Sequence, residues 1–325
     1  MNIKAFAIKH KNINVRNESR SGGVFTALSD RILDLDGSVY GCKLDDHFKA
    51  VHEKANNAEE RNAFRGSKYV QSDLMNCYVD VKNDLMKNRW AMFSGTSCQV
   101  AGLQSFLYKT DISKLICVDI VCYGVPSPLI WKAYLQYVET LHSGKSEYVD
   151  FRNKRKYGWT TNITTITINE QEYDTNDYAA LFYSNNALRM SCYQCPYKDI
   201  IHPSDITIAD LWGCEKAVPG FNDNKGVSLV LVNTEKGADL LSAVSDNLEI
   251  RECNINDCMQ PPLIRPCPVP KGRTVFWEKT HARSMEMIIR HYGANGPKMR
   301  IKRLLRKMVP ENQIDALKKM IYKIK

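Results

Sequence analysis

The apolar residues of this chain recur in an order that predicts buried strands alternating with helices. WAMFSGTSCQVAGLQSFL (90–107) is an apolar run, a turn of small residues and then a helical pattern, and LICVDIVCYGVPSP (115–128) begins in nearly the same way. VFTALSDRILDL (24–35) has apolar residues at helical spacing and follows a glycine pair. This alternation favours an α/β core of parallel strands, whose ligands bind at the carboxyl ends of the strands.

Other segments add strands to this core. SVYGCKL (38–44), SDITIADLWG (204–213) and VSLVLVNT (227–234) are strand-like, and RGSKYVQS (65–72) is typical of loop and turn. TTNITTITIN (160–169) alternates β-branched residues, which indicates antiparallel strands beside the core. The prediction is a mixed α/β fold with a largely parallel central sheet, flanking helices, added antiparallel strands and a C-terminal basic helical tail.

The net charge of +9 is concentrated near the C-terminus. Residues 271–325 contain 15 Lys and Arg against 4 Asp and Glu, so residues 1–270 are close to neutral and no nucleic-acid partner is expected. We therefore divide the chain into a catalytic domain, 1–270, and a basic tail, 271–325. The tail packs on the enzyme or contacts an anionic membrane or a partner through one apolar helical face. That face comprises Ile301, Leu304, Leu305, Met308, Ile314, Leu317, Met320 and Ile321.

The chain has no apolar run of membrane-spanning length, and its first residues contain no apolar stretch of signal-peptide length. We expect a cytoplasmic protein, which the tail would bring to the inner face of the membrane if it binds lipid. Self-association is left open.

The expected cytoplasmic location predicts that the eleven cysteines are reduced. Cytosolic thiols more often serve metals or catalysis than disulfides. Cys192 and Cys195 form a CxxC motif between a predicted helix and a predicted strand. The motif fits a redox dithiol, half of a zinc site or half of an iron–sulfur ligand set. We interpret four other cysteines as small buried apolar residues: Cys42, Cys77, Cys117 and Cys253.

Cys98 and Cys122 are the better partners for this motif, because both follow predicted strands at the ligand-binding edge of the sheet. A dithiol is expected within a βαβ unit, and zinc is expected to have a second CxxC or a histidine pair close by. Cys253 and Cys258 are a weak second pair. Four thiolates from two sheet-edge loops and one CxxC loop would enclose a 4Fe-4S cluster, while zinc and no metal stay as alternatives.

Three small-residue turns offer a site for a flavin. SGG precedes a helix and supplies backbone amides, RGSKY supplies two cations, and FSGTS is a third turn at the same edge. An ordinary helix cap and a solvated lysine are the alternatives for the first two. A flavin is a natural companion of a 4Fe-4S cluster, because it converts two-electron chemistry into one-electron steps.

Eight ordered segments resemble the beta-subunit family of coenzyme F420 hydrogenases and dehydrogenases. They run from about residue 20 to about residue 235: SGGVFTAL, RGSKYVQS, GTSCQVAGL, VDIVCYGVPSP, FRNKRKYGW, SCYQCPYK, SDITIADLWG and GVSLVLVNT.

The resemblance implies an oxidoreductase that holds FAD at the three turns and one 4Fe-4S cluster. Lys68, Tyr123 and Asp210 are the candidate catalytic residues, and Arg152 and Trp212 occupy motif positions near the cofactors. The implied cluster ligands are Cys98, Cys122, Cys192 and Cys195. The implied FAD-binding residues are Ser21, Gly22, Gly23, Val24, Arg65, Gly66, Ser67, Lys68, Tyr69, Gly95, Thr96 and Gln99.

Three departures from the family pattern matter. Many relatives begin with a ferredoxin-like segment, and this chain starts after that point, so we expect a separate ferredoxin-type electron donor or acceptor. The usual GTPC is GTSC here, which keeps the ligand. The usual CHG is CYG, so an acid–base role of that histidine does not carry over unchanged to Tyr123. Short relatives of this type lie beside surface-polysaccharide genes, which suggests a sugar or lipid-linked substrate as readily as the deazaflavin coenzyme.

Two other hypotheses compete with the flavin and iron–sulfur oxidoreductase. One is a zinc-stabilised, non-catalytic binding module whose basic tail contacts a membrane or nucleic acid. The other is a scaffold that kept the fold and lost both cofactors. The four cysteines weigh against this last possibility.

Overall fold

The computed structural model describes residues 3–282 and 284–297. The tail residues from Ile301 to Ile321 that form the predicted apolar face lie outside the described residues. Among the described residues, no helix combines the length and the apolar character that crossing a membrane requires.

Eleven strands and twelve α-helices alternate along the described residues. The strands are β1 (Lys4–His10), β2 (Ser38–Leu44), β3 (Ala50–Ala55), β4 (Ala91–Thr96), β5 (Leu115–Ile120), β6 (Ser146–Asp150), β7 (Thr164–Ile168), β8 (Gln171–Thr175), β9 (Ile206–Asp210), β10 (Ser228–Val232) and β11 (Leu248–Cys253). The helices are α1 (Ile13–Glu18), α2 (Val24–Asp34), α3 (Ala58–Asn62), α4 (Cys77–Met86), α5 (Ser97–Phe106), α6 (Pro128–Leu141), α7 (Lys154–Tyr157), α8 (Asp177–Tyr183), α9 (Cys214–Ala217), α10 (Glu235–Ala243), α11 (Arg273–Ala282) and α12 (Met285–Tyr292).

Eight strands form the central sheet in the order β11-β1-β10-β9-β5-β4-β2-β3. The pairs β2–β4, β4–β5 and β5–β9 are parallel, and the other pairs are antiparallel. Five of the eight strands, namely β1, β2, β4, β5 and β9, consequently point in the same direction. The predicted mixed α/β fold with a largely parallel central sheet is confirmed.

The predicted antiparallel strands are also present, as a separate three-stranded sheet in the order β6-β7-β8. This sheet packs with α6 and α8 around Trp131, Tyr178 and Ile166. Phe276 of α11 and Ile288 of α12 join the same core, so the first helices after residue 270 pack on the body of the protein. The division of the chain at residue 270 stays a prediction.

Local sequence explains how the strand–turn–helix units form. α5 begins with a capping box, in which Thr96 and Gln99 satisfy each other's backbone N–H groups. Ser127 caps α6, and Pro128 takes its first position, where the missing N–H costs nothing. Gly23 caps α2 at a φ of 90°, a left-handed conformation that glycine adopts without strain.

Candidate cofactor site

The carboxyl ends of the parallel strands gather most of the predicted site residues at one edge of the sheet. Cys98 follows β4, Cys122 follows β5, and Asp210 ends β9. β1 points in the same direction, so the segment after it, which ends in Ser21, starts from this edge as well. The edge of the sheet is therefore the common origin of the thiol region and the flavin turns.

The four predicted ligands come close enough to influence one another. Burial raises the pKa of Cys122 to about 12; nearby Lys198 opposes this rise, and the thiols of Cys192 and Cys98 add to it. Burial also raises the pKa of Cys192, and the thiols of Cys98 and Cys195 add to that rise. All four are free cysteines, with Cys98 exposed and the other three half-buried.

Backbone contacts hold the Cys122 loop against the CxxC segment. The amide of Ser127 donates to the carbonyl of Ala187 at 2.9 Å, and the amide of Arg189 donates to the carbonyl of Val125 at 2.9 Å. Gly124 has a φ of 147°, and a Cβ there would lie 3.5 Å from the Cβ of Cys192. Glycine therefore permits the backbone conformation of this turn, which brings the two cysteine-bearing segments into van der Waals contact.

Four thiols are a donor set that suits either an iron–sulfur cluster or a zinc ion. No group of three His, Cys, Asp or Glu side chains is arranged to hold one metal ion in residues 3–282 and 284–297. A zinc ion needs four ligands within about 2.3 Å of one point, whereas four irons and their sulfides keep the four thiolates farther apart.

A cleft of about 610 Å³, including its open mouth, is bordered by the RGSKY turn. Ser19, Leu44 and the turn from Arg65 to Lys68 contribute to its wall. The charged side chains at the wall are six cations and two carboxylates: Arg20, Arg65, Lys68, Arg152, Lys154, Arg155, Glu18 and Asp150.

Lys68 shapes the wall of this cleft. Its ammonium donates to the backbone carbonyls of Arg65 at 2.8 Å, Ala63 at 2.9 Å and Gly66 at 3.2 Å. Burial lowers the pKa of Lys68 to about 8, although nearby Cys42 and Asp150 oppose the shift. The lysine thus holds the RGSKY turn in place and adds positive charge to the cleft.

Asp210 is buried at the back of the cleft among cations and aromatic rings. Its carboxylate accepts hydrogen bonds from Arg152 at 2.9 Å and from the indole of Trp159 at 2.9 Å, and Arg20 lies 3.9 Å away. Trp212 stacks on Trp159 with 5.2 Å between ring centroids, and the guanidinium of Arg152 lies 5.2 Å from the centroid of Trp212. The structure therefore joins Arg152 and Asp210, whose side chains are largely buried, to the more exposed ring of Trp212.

The cations behind the cleft are incompletely neutralised. Burial lowers the pKa of Lys154 to about 8, and neighbouring Arg20 and Arg16 lower it further, against the opposing pull of Asp210 and Asp223. The Nε atoms of Arg16 and Arg20 are buried without a hydrogen-bond partner among the described residues. A buried excess of positive charge is costly in free energy, so the region is suited to an anionic ligand.

The SGG turn lies deeper than the cleft. A Cβ on Gly22 would lie 2.2 Å from the carbonyl oxygen of Ile8, and the amide of Gly22 donates to Ser228 Oγ at 2.9 Å. Val24 is buried in the core. The hydroxyl of Ser21 donates to the carbonyl of Val227 at 2.8 Å. Ser19 and Arg20, which precede this turn in the chain, line the cleft.

The third predicted turn joins the thiol region to the RGSKYVQS loop. The amide of Thr96 donates to Gln99 Oε1 at 2.9 Å, and Gln99 Nε2 donates to the hydroxyl of Ser72 at 2.9 Å. The hydroxyl of Thr96 lies 3.1 Å from the sulfur of Cys98. Gly95 precedes this turn at the end of β4 and packs against Phe93 and Gln99.

An aromatic wall separates the cleft from the thiol region. Tyr69 accepts a hydrogen bond from Arg152 at 3.0 Å and lies 5.2 Å from Phe182 between ring centroids. Phe182 lies 5.3 Å from Tyr123, which follows Cys122 in the chain. Tyr69, Tyr123 and Cys192 pack against one apolar cluster. These contacts connect Arg152 at the cleft with the Cys122 loop through the rings of Tyr69, Phe182 and Tyr123.

Four residues of this region were not predicted from the sequence. Arg20 precedes the quoted motif SGGVFTAL and has no signal of its own, whereas Lys154 lies in the quoted motif FRNKRKYGW. Lys198 lies in the quoted motif SCYQCPYK, three residues after the CxxC, and this position was the available signal. Cys267 lies between two prolines, and its thiol donates to the carbonyl of Tyr123 at 3.3 Å.

Comparison with known proteins agrees with the fold of the chain. Among solved structures, the chain is similar to one from the F420-reducing [NiFe] hydrogenase complex of Methanosarcina barkeri, with a TM-score of 0.53 and 17% identity over 76% of this chain and 81% of that chain. At this identity the likeness concerns the fold alone. No curated protein matches the chain. A family model for the C terminus of the coenzyme F420 hydrogenase/dehydrogenase beta subunit matches residues 88–257, which include all four predicted ligands and more than half of the chain. The chain therefore belongs to the coenzyme F420 hydrogenase/dehydrogenase beta-subunit family of oxidoreductases.

Proposed function

We propose that this oxidoreductase holds FAD in the cation-lined cleft and one 4Fe-4S cluster at Cys98, Cys122, Cys192 and Cys195. The supporting observation is the meeting of four free thiols from separate segments beside a cleft with an excess of positive charge. The cluster would exchange single electrons with a flavin, which in turn exchanges two with a substrate.

The residues present suit the two ends of a flavin differently. Arg65, Lys68 and Lys154 provide charge for the pyrophosphate, because phosphate oxygens are bound well by cations and by backbone amides of turns. Tyr69 and Phe182 provide an apolar, aromatic surface suited to a planar ring. Asp210 orients Arg152, which reaches the hydroxyl of Tyr69, so a change at Asp210 would be felt at the aromatic wall.

The proposed partners are a ferredoxin-type electron donor or acceptor and a small substrate. Cys98 is exposed, which gives an external carrier a short route to the thiol region. The substrate would be a reduced coenzyme or a small sugar or lipid-linked molecule, and a role in surface-polysaccharide synthesis belongs to this proposal. Anaerobic reduction with ferredoxin and with reduced deazaflavin, each followed by the flavin absorbance, would distinguish the two directions of electron supply.

Cofactor content tests the proposal directly. Protein purified without oxygen should contain four irons, four sulfides and one FAD per chain, and Cys192→Ser should lose most of the iron while it keeps FAD. One zinc per chain with no flavin would instead support the zinc-stabilised binding module. Full iron content in Cys192→Ser would refute the ligand assignment.

A further inference from the structure

A buried lysine lies beside two of the predicted ligands, Cys122 and Cys192, and forms no ion pair with Asp or Glu among the described residues. Lys198 is 7% exposed, and its ammonium donates to the backbone carbonyl of Cys122. A buried ammonium is destabilising by several kcal/mol unless negative charge lies close to it.

The thiols of the Cys122 loop and the CxxC segment lie close to this ammonium. Burial raises the pKa of Cys122, Cys192 and Cys267, and the charge of Lys198 opposes that rise at each of the three thiols. The ammonium is therefore close enough to stabilise thiolates on the Cys122 loop and in the CxxC segment. The carbonyl that it binds belongs to one predicted ligand, and its own position in the chain follows another, Cys195.

A second lysine, Lys236, also binds backbone carbonyls, but a carboxylate lies close to its ammonium. Lys236 donates to the carbonyls of Leu115 and Ile112, but Asp205 lies 3.8 Å from its ammonium. Leu115 begins β5, roughly 17 Å from the carboxyl end of that strand at a rise of about 3.3 Å per residue. Lys236 thus has a carboxylate partner far from the thiols, whereas Lys198, within the described part of the chain, has the thiols alone.

We propose that Lys198 is the internal counter-charge of the thiolate-ligated cluster and stabilises its reduced form. This inference rests on the proposed function. When the cluster accepts one electron from a reduced flavin or an external carrier, its negative charge increases by one while the four thiolate ligands stay bound. A fixed cation beside the ligands favours the more negative form and raises the reduction potential, since net charge and hydrogen bonding are among the factors that set it.

The variants Lys198→Gln and Lys198→Arg separate charge from hydrogen bonding. Glutamine can still donate to the Cys122 carbonyl but carries no charge, and arginine keeps both. We expect an anaerobic redox titration followed by the cluster's visible and EPR signals to show a lower midpoint potential in Lys198→Gln and a near wild-type potential in Lys198→Arg. Lys236→Gln is the matched control and should leave the potential unchanged.

Iron content covers the case in which a variant fails to assemble the cluster. Iron lost from Lys198→Gln and retained in Lys198→Arg would support the counter-charge, because only the charge differs in kind between them. An unchanged potential in iron-loaded Lys198→Gln, or iron lost equally from both variants, would overturn it and leave Lys198 as an anchor of the loop. Wild-type protein without any cluster would instead refute the proposed function.

Discussion

The thiol region and the cation-lined cleft lie on two sides of one aromatic wall, but the protein builds them differently. The thiol region is held mainly by backbone hydrogen bonds between loops, and its four cysteines form no disulfides. The cleft is held by buried side chains that bind one another, with Asp210 between Arg20 and Arg152. We therefore expect that removing a thiol leaves the fold nearly intact. Removing a charge such as that of Asp210 leaves its buried ion-pair partners without a counter-charge.

The largest expected effect is the loss of the cluster from the thiol region while the cleft keeps its FAD. Cys122→Ser should lose nearly all iron, because a serine hydroxyl is a far weaker ligand for iron than a thiolate. FAD content should stay near wild type, since this cysteine is not among the residues that line the cleft. Iron and flavin assays on anaerobically purified protein check both statements.

Cys267 provides the matched control for this experiment, because it is a buried thiol in the same apolar cluster as Cys192. Its thiol already donates to the Tyr123 carbonyl, so Cys267→Ser should keep full iron content. If Cys267→Ser lost iron while Cys98→Ser retained it, Cys267 would replace the exposed Cys98 as the fourth ligand.

The next effect in size is the disruption of the cleft through Asp210. Asp210→Asn leaves Arg20 and Arg152 buried without their shared carboxylate, which should lower the free energy of unfolding by about 3–5 kcal/mol. Urea denaturation of protein with matched cofactor content measures this change. FAD should be lost before iron as the protein is destabilised, because the network borders the cleft.

An exposed ion pair at the same cleft serves as the control for the effect of burial on the free energy of unfolding. Glu18→Gln removes the partner of Arg155, and both side chains are about half exposed. The cost should stay below about 1 kcal/mol. Equal destabilisation by the two substitutions would contradict the view that the cleft depends on buried charge.

The two regions also differ in how far the sequence could predict them. Cys98, Cys122, Cys192 and Cys195 stood out because cysteine has few roles in the cytosol, and strand–turn–helix patterns put two of them at one sheet edge. Arg20 could not be predicted in the same way, because arginine is common and its role here depends on burial that no local pattern encodes.

The fold shows the same contrast between local and non-local information. The order of apolar strand and helix in units such as β4–α5 was predicted, although the small residues assigned to a turn form the end of β4 and the start of α5. β1, β3 and β11 were not predicted, because KAFAIKH, AVHEKA and LEIREC carry charges that suit a sheet edge or a partly exposed face. These segments become strands because they pair with neighbouring strands in the sheet. β1, for example, pairs with β10 and β11, which lie more than 200 residues later in the chain.

A smaller effect is expected at Lys68, which acts on the cleft without being buried in an ion pair. Lys68→Met removes three hydrogen bonds to the RGSKY turn and one positive charge, and it should weaken FAD binding about tenfold, or by about 1.4 kcal/mol. Iron content should not change. Lys49→Met, which removes an exposed lysine paired with Asp73, should leave both cofactors bound. Unchanged FAD affinity in Lys68→Met would remove Lys68 from the flavin site.

The smallest effect is a dependence on pH that only the cleft should show. Lys68 and Lys154 both have a pKa near 8, so they lose their protons as the pH rises from 7 to 9 and the cleft loses positive charge. A bound pyrophosphate favours the protonated lysines, so FAD affinity must fall across this range, by about two- to threefold. Fluorescence titration with FAD at pH 7, 8 and 9 measures the change, and Lys68→Met should reduce it to the part that is due to Lys154. Iron content should be the same at all three pH values, because the ligands are held by the metal. A pH-independent affinity would mean that the FAD phosphates lie away from these lysines, and the cleft would then bind another part of the flavin.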